Sequence, residues 1–196
     1  SMISVLLRDY AARHPIEVLS RLEPPETPPQ GVMWRTLTAV EMEAAWSAAR
    51  VEKQVDEALY RRVPLPGGGS LIIDEREALT TIDVNSGSTV TAADGEDLAM
   101  EENLRAAAEA ARQIRLRNLS GILLIDFIDM QSDADRGRVL AAMEQAASDD
   151  RVKTVIHGFT SLGLLEMTRK RTRDTLSDTL TQPCDACHAT GRVRRE

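Results

Sequence analysis

A chain of 196 residues with 42% hydrophobic content has enough apolar material for one core and is too apolar for wholesale disorder. Its net charge of −7 argues against a generic basic nucleic-acid-binding module, and 3% aromatic residues make stacking platforms for single strands scarce. No apolar run approaches the roughly 18 residues of a membrane-spanning helix, and no apolar stretch follows a charged start as in a secretion signal, so a cytoplasmic setting without membrane partners is expected.

Ser1-Met2 reads as an appended start, so that the chain begins inside a longer natural protein. Residues 2–7 suit a short strand or a helix start, and Ile16-Glu-Val-Leu19 suits a strand. Pro24, Pro25, Pro28 and Pro29 then block both helix and ladder, which predicts a loop. Thr38-Ala-Val-Glu41 is a capping-box sequence, and Trp46, Ala49, Val55, Ala58 and Leu59 predict one helix to about Tyr60. Pro64, Pro66 and the glycines 67–69 turn the chain into a strand over 70–74. Glu75-Arg76-Glu77 makes a hairpin turn into a second strand over 78–85, and 86–95 is a polar loop.

Leu104, Ala107, Ala108, Ala111 and Ile114 keep helical spacing within 96–117. The run 122–128 is apolar enough to predict a strand buried on both faces. Ser132-Asp-Ala-Asp135 caps a further helix bearing Val139, Leu140, Met143, Ala146 and Ala147. A short strand over 152–157, an extended segment over 162–167, a basic run and a polar stretch over 174–182 lead to a Cys-x-x-Cys pair. Helices alternating with strands predict an α/β class: a mixed sheet with flanking helices and a short C-terminal zinc-binding segment. Three parts follow: an irregular segment over 1–35, an α/β domain over 36–175 and a tail over 176–196.

The chemistry concentrates in the acids at strand ends. Asp83 and Asn85 lie two apart and so point to one face of a strand, and Asp126 ends the most apolar strand. Mg²⁺ takes oxygen ligands, keeps several waters and often uses one or two carboxylates plus a substrate phosphate. Asp83 and Asp126 meet that requirement if their strands are neighbours, with Asn85 orienting a phosphate or a water. Asp74 and Asp129 also end apolar runs and compete for the role. The plain alternative is that all of these acids cap strands or turns.

Cys184-Asp-Ala-Cys187-His188 formally matches a haem-attachment pattern, but that chemistry requires export; a redox pair would follow a strand and open a helix. Zinc prefers thiolates and needs four ligands in a structural site, whereas the chain has two cysteines. Either His188 and another group complete the site, or a second copy does and the metal clips a dimer; two unliganded thiols are the plain alternative. Arg169 to Arg173 and Arg192 to Arg195 are basic runs, readable as solvated ends or as phosphate contacts. Gly67-Gly68-Gly69 precedes a strand and lacks a following Gly-Lys-Ser/Thr, so it is no P-loop. His14 and His157 have no partner at a catalytic spacing.

Taken in order, several motifs resemble the catalytic region of the bacterial ribonuclease E/G family. They are Leu65-Pro-Gly-Gly-Gly-Ser-Leu-Ile-Ile-Asp74, Glu77-Ala-Leu-Thr-Thr-Ile-Asp83-Val-Asn85-Ser-Gly, Asn103-Leu-Arg-Ala-Ala through Arg112-Gln-Ile-Arg-Leu-Arg-Asn-Leu, Gly121-Ile-Leu-Leu-Ile-Asp126-Phe-Ile-Asp129-Met, Gly163-Leu-Leu-Glu-Met-Thr-Arg-Lys-Arg171 and Cys184-x-x-Cys187-x-x-x-Gly191. They span roughly residues 50–196, and their combination is specific where each alone is not.

The resemblance implies a deoxyribonuclease-I-like subdomain followed by a zinc-link. It implies a Mg²⁺ site of Asp83, Asn85 and Asp126, and one zinc shared between two protomers through Cys184 and Cys187. The first 35 residues would be a remnant of the family's ribonuclease-H-like region. The family's OB-type RNA-binding domain and 5′-end sensor have no counterpart in these residues, and Asp185 stands where the family usually has proline. The expected function is Mg²⁺-dependent hydrolysis of single-stranded RNA to 5′-phosphate and 3′-hydroxyl ends, with Arg169 and Arg171 near the RNA. The rival is a non-catalytic RNA-binding scaffold dimerised through zinc.

Overall fold

The computed structural model describes residues 15–24, 26–27, 30–87, 95–187 and 191–193. The expected element over 2–7, His14 and His188 lie outside them. The chain divides into two units after Asp56, whereas the sequence places a boundary after residue 35.

In the first unit, β1 (Ile16–Ser20) pairs in parallel with β2 (Val32–Thr36), from Ile16 opposite Val32 to Ser20 opposite Thr36. The Trp34 indole N–H donates to the Leu22 carbonyl across the intervening loop, at 3.0 Å. Thr38 caps α1 (Ala39–Ala48): its hydroxyl accepts from the Glu41 N–H while the Glu41 carboxylate accepts from the Thr38 N–H. The single helix expected to about Tyr60 is interrupted. Arg50 takes a left-handed backbone (φ 50°), and a second helix, α2 (Val51–Glu57), begins beyond it. The Gln54 side chain donates to the Ala49 carbonyl at 2.6 Å, satisfying an acceptor that the break exposes. Neither helix buries a residue, and Trp46 stays 47% exposed.

The second unit is built on a six-stranded sheet. Its strands are β3 (Arg62–Pro64), β4 (Ser70–Glu75), β5 (Leu79–Asn85), β6 (Gly121–Asp126), β7 (Thr154–Phe159) and β8 (Leu165–Arg169), in the order β3-β4-β5-β6-β8-β7. Only β5 and β6 run parallel; every other neighbouring pair is antiparallel. A parallel pair needs a long crossover, which α3 (Gly95–Leu116) supplies. Helix α4 (Asp133–Ala147) follows β6, and its N-cap Ser132 accepts from the Asp135 N–H.

Strand parity organises the core. Leu71 and Ile73, Ile82 and Val84, Leu123 and Ile125, and Leu165 and Met167 all point to one face of the sheet, where they are buried. They meet Ala106, Ala107, Ala110, Ala111 and Ile114 of α3 and Val139 and Met143 of α4. Alanines on α3 let that helix lie close to the strands. A fully buried Leu, Ile or Met contributes about 1.5–3 kcal/mol relative to exposure, so this single-sided core accounts for most of the apolar stabilisation.

β6 is therefore not buried on both faces, as its composition predicts. Ile122 is 44% exposed and Leu124 half-buried, because the packed helices lie on the other side. The short strand expected over 152–157 and the extended segment expected over 162–167 are both strands lying slightly later in the chain, joined by a turn in which Thr160 N–H donates to the Leu164 carbonyl. The polar stretch after residue 174 contains a short helix, α5 (Leu176–Leu180), capped by Thr175. It is tied back by Leu176 N–H to the Arg117 carbonyl, by the Asn118 amide to the carbonyls of Arg173 and Asp174, and by Ser177 Oγ to Glu75.

Candidate active site

The alternation that buries Ile82 and Val84 turns Asp83 and Asn85 to the uncovered face of the sheet. The same rule buries Ile125 and turns Asp126 out. In the parallel ladder Asp83 stands directly opposite Asp126. Neighbouring strands lie about 4.7–4.9 Å apart, so these two carboxyl groups are immediate neighbours at the C-terminal ends of the one parallel pair in the six-stranded sheet. Asn85 Nδ2 donates to Asp83 Oδ2 at 2.6 Å, which fixes the Asp83 carboxylate and uses the parity relation between the two residues.

The electrostatics follow from this crowding. Partial burial, then the charges of Asp83 and of Asp129, push the Asp126 carboxyl above its ordinary value. Asp129 lies exposed in the loop after β6. Asp74, the other contender, is already engaged. Arg61 grips it with two hydrogen bonds of 2.7 Å, and Arg76 approaches to 3.5 Å. The Arg61 bonds hold the Asp74 carboxyl below its usual range. Arg61 also feels the charge of Asp83, so a guanidinium borders the acid pair. Sequence reasoning missed Arg61; its position one residue before β3, next to an acid-bearing strand, is the only signal it leaves.

Two features fix the ends of the acid-bearing strands. Gly67 and Gly68 adopt positive φ, and the glycine turn folds against the end of β5. A Cβ on Gly69 would overlap the Glu102 carboxylate and come within 2.8 Å of the Asn85 carbonyl; one on Gly87 would meet the Gly68 carbonyl at 2.9 Å. On the other strand, Asn103 of α3 bonds to the Ile128 backbone through both ends of its amide.

Arg169, expected near RNA, points into the protein. It is buried at 4% exposure. Its guanidinium donates to Asp150 at 2.6 and 3.3 Å, to Asn118 Oδ1 at 2.9 Å and to the Leu119 carbonyl at 2.9 Å. The reason is parity again: Leu165, Met167 and Arg169 share the inward side of β8. Arg171, two residues beyond the strand, is exposed. His157 pairs with Thr168 Oγ1 at 3.1 Å beside a strand irregularity and away from the acids' strand ends.

Cys184 and Cys187 are not bonded to each other. Backbone N–H groups of Cys187 and Ala186, together with the Cys187 side chain, lower the Cys184 thiol, and Gly191 N–H donates to Cys187 Sγ at 3.3 Å. Such N–H donors favour thiolate. Among the described residues no three His, Cys, Asp or Glu side chains converge as a metal cage.

A family model described as the Ribonuclease E/G family matches residues 30–172. Ribonuclease G of Escherichia coli K12 is 50% identical over 144 residues, covering 74% of this chain and 29% of that protein. Ribonuclease E of Synechocystis is 43% identical over 144 residues, covering 74% of this chain and 21% of the relative. A chloroplastic ribonuclease E/G-like protein of Arabidopsis thaliana is 41% identical over 145 residues, covering 73% and 14%. The chain thus spans less than a third of the length of these relatives, and the matched stretch includes Asp83, Asn85 and Asp126. By the extent of that match, the chain belongs to the ribonuclease E/G family.

Proposed function

We propose that this chain carries the RNA-cleaving centre of a Mg²⁺-dependent endoribonuclease acting in the cytoplasm. The carrying observation is the Asp83–Asp126 pair, opposite one another on neighbouring parallel strands and open to solvent on the uncovered sheet face. Two like charges side by side, with a third on Asp129 raising Asp126 further, are a donor set that a divalent cation relieves. The set fits Mg²⁺, which asks for few carboxylates and leaves positions for phosphate oxygens. Bound there, Mg²⁺ supplies the Lewis acidity that polarises a phosphodiester and eases loss of a proton from water.

The chain's own residues do the rest. Asn85 holds Asp83 in one orientation. Arg61, at the border of the pair, offsets phosphate charge as single-stranded RNA approaches an otherwise acidic protein, and exposed Arg171, beyond the β8 end that pairs with the start of β6, contacts RNA farther from the acids. Hydrolysis leaves 5′-phosphate and 3′-hydroxyl ends. The lowered Cys184 thiol and a total of two cysteines, half of what an all-thiolate structural zinc takes, support a zinc shared between Cys184 and Cys187 of two copies, giving a homodimer.

The test is cleavage of a single-stranded, AU-rich RNA with Mg²⁺ by wild type, Asp83→Asn and Asp126→Asn. Loss of cleavage in both variants with RNA binding retained is the expected result. Equal cleavage by all three rejects the site, and RNA binding without cleavage by wild type favours a scaffold.

A further inference from the structure

One step of α3 touches the ends of both acid-bearing strands. Asn103 is fully buried at 0% exposure on a helix face otherwise occupied by Met100, Ala106, Ala107 and Ala110. Its Nδ2 donates to the Ile128 carbonyl at 2.8 Å, and its Oδ1 accepts from the Ile128 N–H at 2.9 Å. An amide is the side chain with a donor and an acceptor spaced to imitate a neighbouring strand's backbone, so Asn103 acts as a one-residue ladder rung just past the end of β6. Ile128 lies two residues beyond Asp126 and one before Asp129. The preceding residue, Glu102, is directed at the other strand. Its buried carboxylate lies against Gly69 at the point where the Asn85 carbonyl also approaches, and Oε1 has no hydrogen-bond partner among the described residues.

We propose that Asn103 is a positioning residue for the acid pair. By clamping the Ile128 backbone to α3, while Glu102 and the glycine turn bound the end of β5, it sets where the Asp126 carboxylate stands relative to Asp83. The proposal rests on the reading of those two acids as the Mg²⁺ site. Its geometry explains why a polar residue occupies a buried helix position. An apolar residue there would leave the Ile128 N–H and carbonyl unpaired, and the loop would re-aim both Asp126 and Asp129. Residues that orient metal ligands typically change metal affinity or activity by about 10- to 100-fold when removed.

The test has three readouts on the full chain. First, exchange of the Ile128 amide proton in wild type, followed by NMR, reports the clamp without any mutation. Protection like that of the sheet amides is expected, and exchange at open-loop rates overturns the clamp. Second, Mn²⁺ binding by water-proton relaxation is compared in wild type, Asn103→Ala, Asn103→Asp and Asp126→Asn at a temperature where each is folded. Asn103→Ala should weaken Mn²⁺ binding by about tenfold. Asn103→Asp keeps the acceptor for the Ile128 N–H but sets a second oxygen against the Ile128 carbonyl, so it should not recover the loss. Wild-type affinity in Asn103→Ala rejects the positioning role even if its Tm has fallen. Third, kcat and KM for RNA are measured against Mg²⁺ concentration. A fall in kcat with KM for RNA unchanged is expected, and a change in KM alone overturns the proposal. If wild type fails to cleave and Asp126→Asn binds Mn²⁺ as wild type does, the functional reading fails, while the amide-exchange result still decides the clamp.

Discussion

Arg169 and Asp150 form a buried ion pair, Nε to Oδ2 at 2.6 Å, that joins β8 to the segment after α4. Burial alone would raise the Asp150 carboxyl. The Arg169 hydrogen bonds, the Val152 N–H and the Arg169 charge outweigh it and hold the group below its usual value. Removing one partner of a buried pair strands the other charge, so Asp150→Asn should cost about 3–5 kcal/mol at neutral pH. The pH dependence follows from the direction of the shift. A depressed folded value makes the stabilisation complete above the unfolded carboxylate value of about 3.9, and it drains as pH falls through the folded value. Denaturant titrations of wild type and Asp150→Asn should therefore differ at pH 7 and converge towards pH 2.

The same ion pair marks what the sequence leaves illegible. A run reading Arg-Lys-Arg-Thr-Arg looks alike whether solvated or anchored. Arg169 and Arg171 both continue the period-two series of Leu165 and Met167, so what separates them is the end of β8 at residue 169, which the run itself does not announce. Parity made the Asp83–Asn85 relation readable in advance. It could not make Asp83 and Asp126 neighbours, because which strands pair is a property of topology rather than of either strand. Nor could composition show that both packed helices lie on one side, leaving Ile122 and Leu124 on an uncovered face. The break at Arg50 has neither glycine nor proline to announce it. Asn103 was visible as a polar residue in step with Met100 and Ala107, but its partner lies 25 residues away across the fold.

Asp126 should stabilise the fold by being removed. Its carboxyl is raised by burial and by Asp83 and Asp129, so its contribution is most favourable below about pH 3.9 and is lost as pH climbs through the folded value. Asp126→Asn should show a small rise in Tm at pH 7 without divalent ions and none at pH 3. Adding Mg²⁺ should raise the Tm of wild type more than that of the variant, since only a ligand that binds the native state stabilises it. An identical Mg²⁺ shift in both proteins would exclude Asp126 from the metal site.

Zinc content tests the cysteine pair. A shared site predicts about half a zinc per chain, dimers by light scattering and monomers after chelation. Cys184→Ser should remove the metal and the dimer while leaving the near-ultraviolet spectrum of the α/β unit unchanged, because among the described residues no core residue lies in the tail. One zinc per chain in a monomer would show that a group of the same chain completes the set.

Gly69→Ala should separate packing from chemistry at the end of β5. The new methyl meets two atoms of different freedom. The Glu102 carboxylate ends a flexible side chain, while the Asn85 carbonyl at 2.8 Å belongs to the strand, with Asn85 opposite Ser70 in the ladder. Glu102 can rotate away at little cost, but the strand end must move by several tenths of an ångström, which carries Asn85 and its hydrogen bond to Asp83 with it. Overpacking of this kind typically costs about 1–3 kcal/mol. The expected result is a destabilised but folded variant whose kcat falls more than its affinity for RNA. The double variant Gly69→Ala/Glu102→Ala distinguishes the two contacts. If the clash with Glu102 dominates, the double variant regains activity. If the Asn85 carbonyl dominates, as its fixed position in the ladder requires, activity stays low although the carboxylate is gone.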